Sequence, residues 1–498
     1  MSLVGAPAAP QGDLRYASAR GRWVIAATVL GSSMAMIDST AVGIALPTIG
    51  RQFHTGVADL QWVSNGYMLT LSGLLLLGGS LGDRHGRRLI FVVGTIWFAA
   101  ASLLCGVAPS AGALIAARTL QGVGGALLTP GSLAILEASF ARDDRMRAIG
   151  AWSGLGGVAA AIGPFLGGWL VSAVSWRLIF LVNLPVAVAV VALSLVHVPE
   201  SRDEAATGPL DLRGAALVSA GLAGIVYGLI EGPVLGWTSA GPMTTLVAGA
   251  ALLAAFVVVE SQTEDPMLPP ALFRSRQFTG ANAVTLAVYG ALGGALFLVP
   301  IELQQVVHYT PIAAGVSLLP ITVVTLALSA RSGELAQRIG PRLQMTVGPL
   351  LVGAGLALMA RIGPQSGYLH GVLPGVAVLG LGLAVTVAPL TATVLAAAPA
   401  RNSGIASAVN NDVARTASLI AVAVLPALSG ITGDSYLHPT QFSSGFHTAV
   451  LIAACCCGAG ALLSLLTIRN PDRRRAAPCR WHCAVDAPPL SEVRATSP

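Results

Sequence analysis

Apolar residues along this 498-residue chain gather into long runs separated by short polar connections. A helix needs about 20 predominantly apolar residues to cross a bilayer. Windows of that length recur at 22–46, 60–80, 89–108, 112–137, 147–171, 177–197, 214–232, 243–260, 278–300, 312–330, 343–362, 370–396, 404–430 and 446–468. The pattern predicts fourteen spans and an all-α polytopic membrane protein. The first window follows Arg20 and Arg22 and runs on too long for a cleavable leader, so it reads as a retained first span.

Composition narrows the class. Hydrophobic residues make up 54% of the chain and charged ones 10%, against about 25% charged in soluble domains. An ordinary soluble enzyme is excluded, and little chain is left for a separate soluble domain. The net charge of +6 is 28 bases, all arginine, against 22 acids; it is small for the length and suits charges set beside a membrane better than nucleic-acid binding. Twenty-three arginines fall in the N-terminal segment, the even-to-odd connections and the C-terminal tail, against Arg51, Arg177 and Arg361 in the opposite loops. The positive-inside rule then places both termini in the cytoplasm. Only Arg118 and Arg415 fall inside predicted spans away from their ends.

Two stretches order the spans. After the second stands Gly79-Ser-Leu81-Gly-Asp83-Arg84-His-Gly86-Arg87-Arg88, and after the tenth Gly333-Glu-Leu335-Ala-Gln337-Arg338-Ile-Gly340-Pro-Arg342, matching at a constant offset of 254. Pro47, expected to end span 1, has its counterpart in Pro300, expected to end span 9. Spans 1–6 and 9–14 therefore read as two parallel copies around a central path, with spans 7 and 8 inserted. The expected division is a tail at 1–21, a six-helix bundle at 22–197, the inserted pair and its loops at 198–277, a second bundle at 278–468 and a tail at 469–498.

Candidate chemistry is sparse. Asp38 sits about 12 Å inside span 1 and Arg118 about 9 Å inside span 4, comparable depths at which the two can pair. An acid so placed must face the bundle interior, pair, or be neutral for part of a cycle; the last suits proton handling, the second a structural bridge. Asp412 and Arg415, three apart on span 13, are expected to pair along one helix face, leaving Asp38 as the acid free to balance a substrate charge. Glu231, Glu260 and Glu302, near helix ends, are expected to be solvated. Cys105 and Cys455–Cys457 read as small buried thiols, and Cys479, His482 and Cys483 in the tail are an incomplete metal half-site. No GxxxxGK[ST] loop binds ATP phosphates, so energy is expected from an ion gradient.

The segment Gly79–Arg88 resembles the loop signature of the major facilitator superfamily between its second and third spans. Asp38-Ser-Thr40-Ala-Val-Gly43-Ile-Ala45-Leu46-Pro47 looks like the lDxTvvnvALP signature of that superfamily's fourteen-span drug:proton antiporters, the multidrug and quaternary-ammonium exporter type, with Gly43 where they carry Asn. Arg118-Thr-Leu-Gln121-Gly122-Val-Gly124, Gly163-Pro164-Phe-Leu-Gly167-Gly168, Trp176-Arg177 through Asn183 and Pro185, and Gly404 through Asn411 and Arg415 extend the resemblance from span 1 to span 13. It implies two six-helix bundles rocking about a central cavity. Asp38, Arg118, Asp412 and Arg415 would serve proton and substrate coupling. Gly79, Asp83, Arg84, Gly86, Arg87 and Arg88 would form a gating loop, with Asp83 on an arginine or on the N-terminus of span 13, and Arg145 in Asp143-Asp144-Arg145-Met-Arg147 would join it. Gly163, Pro164, Gly167 and Gly168 would form the antiporter motif, and Tyr67, Gln121, Tyr289 and Asn411 are candidate cavity liners. The function implied is proton-coupled efflux of lipophilic drugs or toxic small molecules by a monomer in the bacterial cytoplasmic membrane. Small lipophilic substrates, protons and the lipid bilayer are its partners, without enzyme activity, cofactor, metal, ATP or nucleic acid. A metabolite transporter of the same fold and a non-transporting membrane receptor are the alternatives.

Overall fold

The computed structural model describes residues 12–203, 210–263, 266–399 and 403–470; the tail cysteines and His482 lie outside them. Fourteen long helices make up the described chain: α1 (Ala19–Phe53), α2 (Val57–His85), α3 (Arg87–Gly106), α4 (Ala111–Ser139), α5 (Arg142–Ala173), α6 (Leu178–His197), α7 (Leu212–Leu235), α8 (Ala240–Gln262), α9 (Arg276–Gln305), α10 (Pro311–Ile339), α11 (Pro341–Met359), α12 (Tyr368–Ala396), α13 (Ser403–Leu428) and α14 (Pro439–Thr467). Thirteen are long and apolar enough to cross a membrane. The exception is α2, whose Gln61, Asn65 and Tyr67 are buried against other helices. Enclosed by α4, α7 and α13, it can carry polar groups that a lipid-facing span cannot.

The helices pair in the same way twice. In the first half α1 packs on α5 and α6, α2 on α4, and α3 on α4 and α6; in the second, α9 packs on α13 and α14, α10 on α12, and α11 on α12 and α14. The repeat seen in two short motifs is thus a repeat of neighbours. The inserted α7 and α8 pack on each other, and α7 also touches α2 and α13, so the pair leans on both halves.

Several boundaries differ from those the apolar windows predict. Residues 79–85 are helical, and the turn between α2 and α3 is Gly86 alone, at φ 116°; Gly340 at φ 88° does the same between α10 and α11. A backbone in that region admits glycine far more readily than any other residue. A carboxylate at the end of α6 caps the first of these turns, Glu200 accepting from the backbone of Arg88 (3.0 Å) and Leu89 (3.2 Å). Asn470, just after α14, accepts from the backbone of Arg342 (3.1 Å) at the equivalent turn. Pro47 and Pro300 lie inside α1 and α9, which continue to Phe53 and Gln305. Proline loosens the helical ladder here rather than ending it; beside the carbonyl of Gly43 that Pro47 leaves without a ladder donor, Gln304 Nε2 of α9 donates to the carbonyl of Ile44 in α1 (2.9 Å).

Burial corrects three further expectations. Cys457 and Cys105 are buried, but Cys455 and Cys456 are exposed, since consecutive residues of a helix cannot all face inward. Glu260 and Glu302 are enclosed rather than solvated, at 2% and 0% exposure. Glu231, at the end of α7, accepts from Trp62 Nε1 of α2 (2.8 Å).

Candidate functional site: an ionic network and an open acid at the seam

Inside the first half, α1, α3, α4 and α6 bring five polar side chains together in an otherwise apolar bundle. Asp38 Oδ2 accepts from Arg118 Nη1 at 2.5 Å, and its Oδ1 accepts from Gln121 Nε2 (2.8 Å) and Asn183 Nδ2 (3.2 Å). Gln121 Oε1 accepts from Arg118 Nη1 (2.6 Å), and Gln121 Nε2 also reaches Ser102 Oγ (2.8 Å). Arg118 Nε donates to the carbonyl of Val63 on α2 (3.1 Å), and its guanidinium lies 4.4 Å from the centre of the Tyr67 ring. Every member is buried. Both charges are thus removed from water, and their mutual attraction and hydrogen bonds must offset that desolvation. Asp38 is fully engaged; Tyr67 and Gln121 line no opening, because they belong to this network and its aromatic cover. Asn183 lies in a segment that carries the family resemblance, which assigns it no role, and Ser102 completes the set without any signal in the sequence, where a lone Ser on an apolar helix carries none.

Across the seam, α13 presents the reverse. Asp412 is half-buried, and its Oδ1 is enclosed without a hydrogen-bond partner. Among the described residues Asp412 and Arg415 form no ion pair, so the pairing expected along the helix face is not made. The carboxyl available to a new partner is therefore Asp412, not Asp38. Its neighbour Asn411 is exposed, with Nδ2 donating back to the carbonyl of Ser407 (3.0 Å), whereas Asn410 ties α13 to α9 through Asn282 (3.1 Å) and Thr285 (2.7 Å). Tyr289 is half-buried on α9, its carbonyl accepting from Ser418 Oγ (3.0 Å).

The halves meet closely at the arginine-poor end. Gln61 Nε2 donates to the carbonyls of Val422 (2.6 Å) and Ala423 (3.0 Å), Val57 N to that of Gly433 (2.7 Å), and Tyr436 to that of Thr55 (2.8 Å). Here α5 and α10 touch backbone to backbone. A Cβ on Gly168 would stand 2.5 Å from the Pro311 carbonyl oxygen and 2.7 Å from Ile312 Cα, and one on Gly315 would stand 2.8 Å from the Pro164 carbonyl carbon. Gly163 and Gly167 face α1 at Thr40 and Ala41. By contrast, Met36 and Ser39 are exposed on α1, a helix with α2, α4, α5, α6 and α9 around it.

At the arginine-rich end, Asp83 binds within its own segment: Arg87 Nε and Nη2 approach its Oδ1 at 2.8 and 2.7 Å. Its carbonyl accepts from Asp203 N (2.7 Å), Arg88 pairs with Glu200 (3.5 Å), Arg84 is also engaged, and Gly79 lies against Pro130 of α4. The segment expected as a basic loop after α4 is the first turn of α5, where Asp143 and Asp144 suit the positive end of a helix. Asp144 accepts from Tyr16 N (3.0 Å) and Arg147 stacks on the Tyr16 ring at 4.8 Å; Arg145 forms no ion pair with Asp83.

A family model described as Major Facilitator Superfamily matches residues 28–422. The chain belongs to that superfamily of membrane transporters. This facilitator is 36% identical over 411 residues to the tetracenomycin C resistance and export protein of Streptomyces glaucescens, covering 82% of this chain and 76% of the relative. It is 34% identical over 456 residues to the methylenomycin A resistance protein of Streptomyces coelicolor, covering 91% and 93%, and 36% identical over 414 residues to the multidrug resistance protein Stp of Mycobacterium tuberculosis, covering 83% and 76%. Its fold matches that of a bacterial homologue of the human lysosomal transporter Spinster, solved in an inward-facing and unoccupied conformation, with a TM-score of 0.62 at 15% identity over 91% of this chain and 97% of that one. In this facilitator, then, the paired halves and the seam between them are the parts of a transporter, and the multi-pass helices place it in a membrane.

Proposed function

We propose that this facilitator exports lipophilic, antibiotic-like compounds of neutral or single positive charge in exchange for protons, as a monomer with both termini in the cytoplasm, and that it carries out no enzymatic reaction. Support for the substrate class comes from relatives named for resistance to tetracenomycin C, methylenomycin A and multiple drugs. The observation that carries the coupling is the enclosed, unpartnered oxygen of Asp412 at the seam. A carboxyl so placed binds either a proton or a cationic substrate at low cost, and both together poorly. That competition is what an exchanger needs. The Asp38–Arg118 network serves as the fixed wall against which α13 works, with the Tyr67 ring covering the Arg118 guanidinium.

With the arginine-rich end taken as cytoplasmic, the contacts of Gly168 and Gly315 close the outer side, and the arrangement is inward-facing. In the alternate state Asp83 leaves Arg87 for the N-terminus of α13 and latches the inner side. Because its repeat partner Gln337 is uncharged, Asp83→Asn should impair transport far more than Gln337→Ala; equal loss at matched expression speaks against the latch.

The coupling is tested in proteoliposomes with ethidium as a lipophilic monocation. Wild-type protein should release protons as ethidium is bound and moved, and Asp412→Asn should move ethidium only downhill, with no proton release. Undiminished proton release in Asp412→Asn overturns the assignment.

A further inference from the structure

The second half holds another acid that this coupling scheme leaves idle. Glu302 lies on α9 two residues past Pro300 and is wholly enclosed, at 0% exposure. Its Oε1 accepts from Ser443 Oγ of α14 at 2.8 Å, while its Oε2 is buried with no hydrogen-bond partner. No ion pair neutralises it among the described residues. Ser443 Oγ stands 3.4 Å from Nε2 of His447, one turn further along α14 and half-buried. His447 Nε2 also lies 2.7 Å from the carbonyl oxygen of Ile362, beyond the end of α11. A carbonyl only accepts, so Nε2 carries the ring proton and Nδ1 is the position left for an incoming one. Three exchangeable groups thus run in a row from an enclosed carboxyl to a partly exposed imidazole, at the arginine-poor end.

We propose that Glu302, Ser443 and His447 form a proton-exchange site separate from Asp412, filled and emptied from the outer face; the direction of filling rests on the proton-coupled export reading. A proton from water adds to His447 Nδ1, the ring releases its Nε2 proton to Ser443 Oγ, and Ser443 passes its own hydroxyl proton to Glu302 Oε1. The carboxylate becomes a neutral carboxyl, rotation of the ring and hydroxyl restores the row, and the reverse order unloads it. A side chain kept only to tie α9 to α14 needs one acceptor, which a glutamine supplies without burying an ionisable group. The unpartnered Oε2 is the mark of a group with more capacity than the tie uses.

The surroundings leave the proton balance to this row. On the elements packed against α9, the titratable groups toward this end are Arg51 and His54 at the end of α1, Arg361 after α11, Tyr368 and His370 on α12, and Asp434, Tyr436 and His438 before α14; Asp412 and Arg415 stand on α13, and His308 and Tyr309 follow α9 itself. None of them forms an ion pair with Glu302, and its side-chain hydrogen bond goes to Ser443.

Infrared difference spectra of the full-length protein in lipid vesicles, recorded across a pH series, test this without any transported compound, so a failed export reading leaves the result interpretable. Wild type minus Glu302→Gln should contain the carbonyl stretch of a protonated carboxyl that disappears as pH rises. Ser443→Ala should shift that stretch, and His447→Gln should slow its return after a pH drop. Absence of the stretch at every pH, or a stretch that pH does not change, overturns the proposal. Should Glu302→Gln fail to fold, Ser443→Ala alone decides: a carboxyl spectrum identical to wild type overturns it.

Discussion

Truncating Arg118 to alanine is expected to cost about 3–5 kcal/mol, the penalty for leaving one charge of a buried pair uncompensated, and to leave little folded protein in the membrane. Asp38 would retain only the amides of Gln121 and Asn183 around an enclosed carboxylate. Replacing both partners, Asp38→Asn with Arg118→Gln, removes the charges together and should recover much of the lost stability, because uncharged groups of similar shape do not carry the desolvation penalty. Thermal dispersion of purified protein, followed by size-exclusion recovery after heating, reads the difference. Equal midpoints for wild type and Arg118→Ala would mean that the pair does not brace the bundle.

The second large effect belongs to the backbone contact between the halves. A leucine at Gly168 would need space held by Pro311 and Ile312, and neither is the far end of a flexible side chain that can swing aside. Gly168→Leu should therefore prevent α5 and α10 from closing while leaving each half intact. Uphill transport should fall to background at normal expression, and a cysteine placed at Ile312 should become reactive to an impermeant thiol reagent added from outside. Retained transport, with Ile312→Cys unreactive, would show that the outer side closes without this contact.

How much of this was legible beforehand depends on where each signal lives. Span number, all-helical class and the duplication follow from apolar run length and from two motifs at one offset, features that a bilayer enforces on sequence. Even so, α2 is the helix whose polar residues make it read least like a span, because Gln61 and Asn65 bond to backbone carbonyls of α13 that sequence does not bring near. Helix depth places Asp38 level with Arg118, but depth fixes no azimuth, so it leaves open whether they meet; Ser102 carries no signal, and the motif containing Asn183 does not say what that side chain bonds. The same limit applies to which of the two acids is engaged. Spacing of three along α13 suggests that Asp412 is occupied by Arg415 and Asp38 free; tertiary contacts engage both oxygens of Asp38, and one oxygen of Asp412 has no partner. Glu302 was assigned to solvent from its nearness to a helix end, whereas α9 runs beyond Pro300 and α14 covers it.

Proton-driven movement of a lipophilic monocation is the claim on which the account stands, and its most direct measurement uses wild-type protein in proteoliposomes under imposed pH gradients at zero membrane potential. Ethidium should accumulate against its own gradient toward the more acidic side, and the direction of accumulation should reverse when the pH gradient is reversed. Accumulation that is the same with the gradient imposed, collapsed or reversed would contradict it.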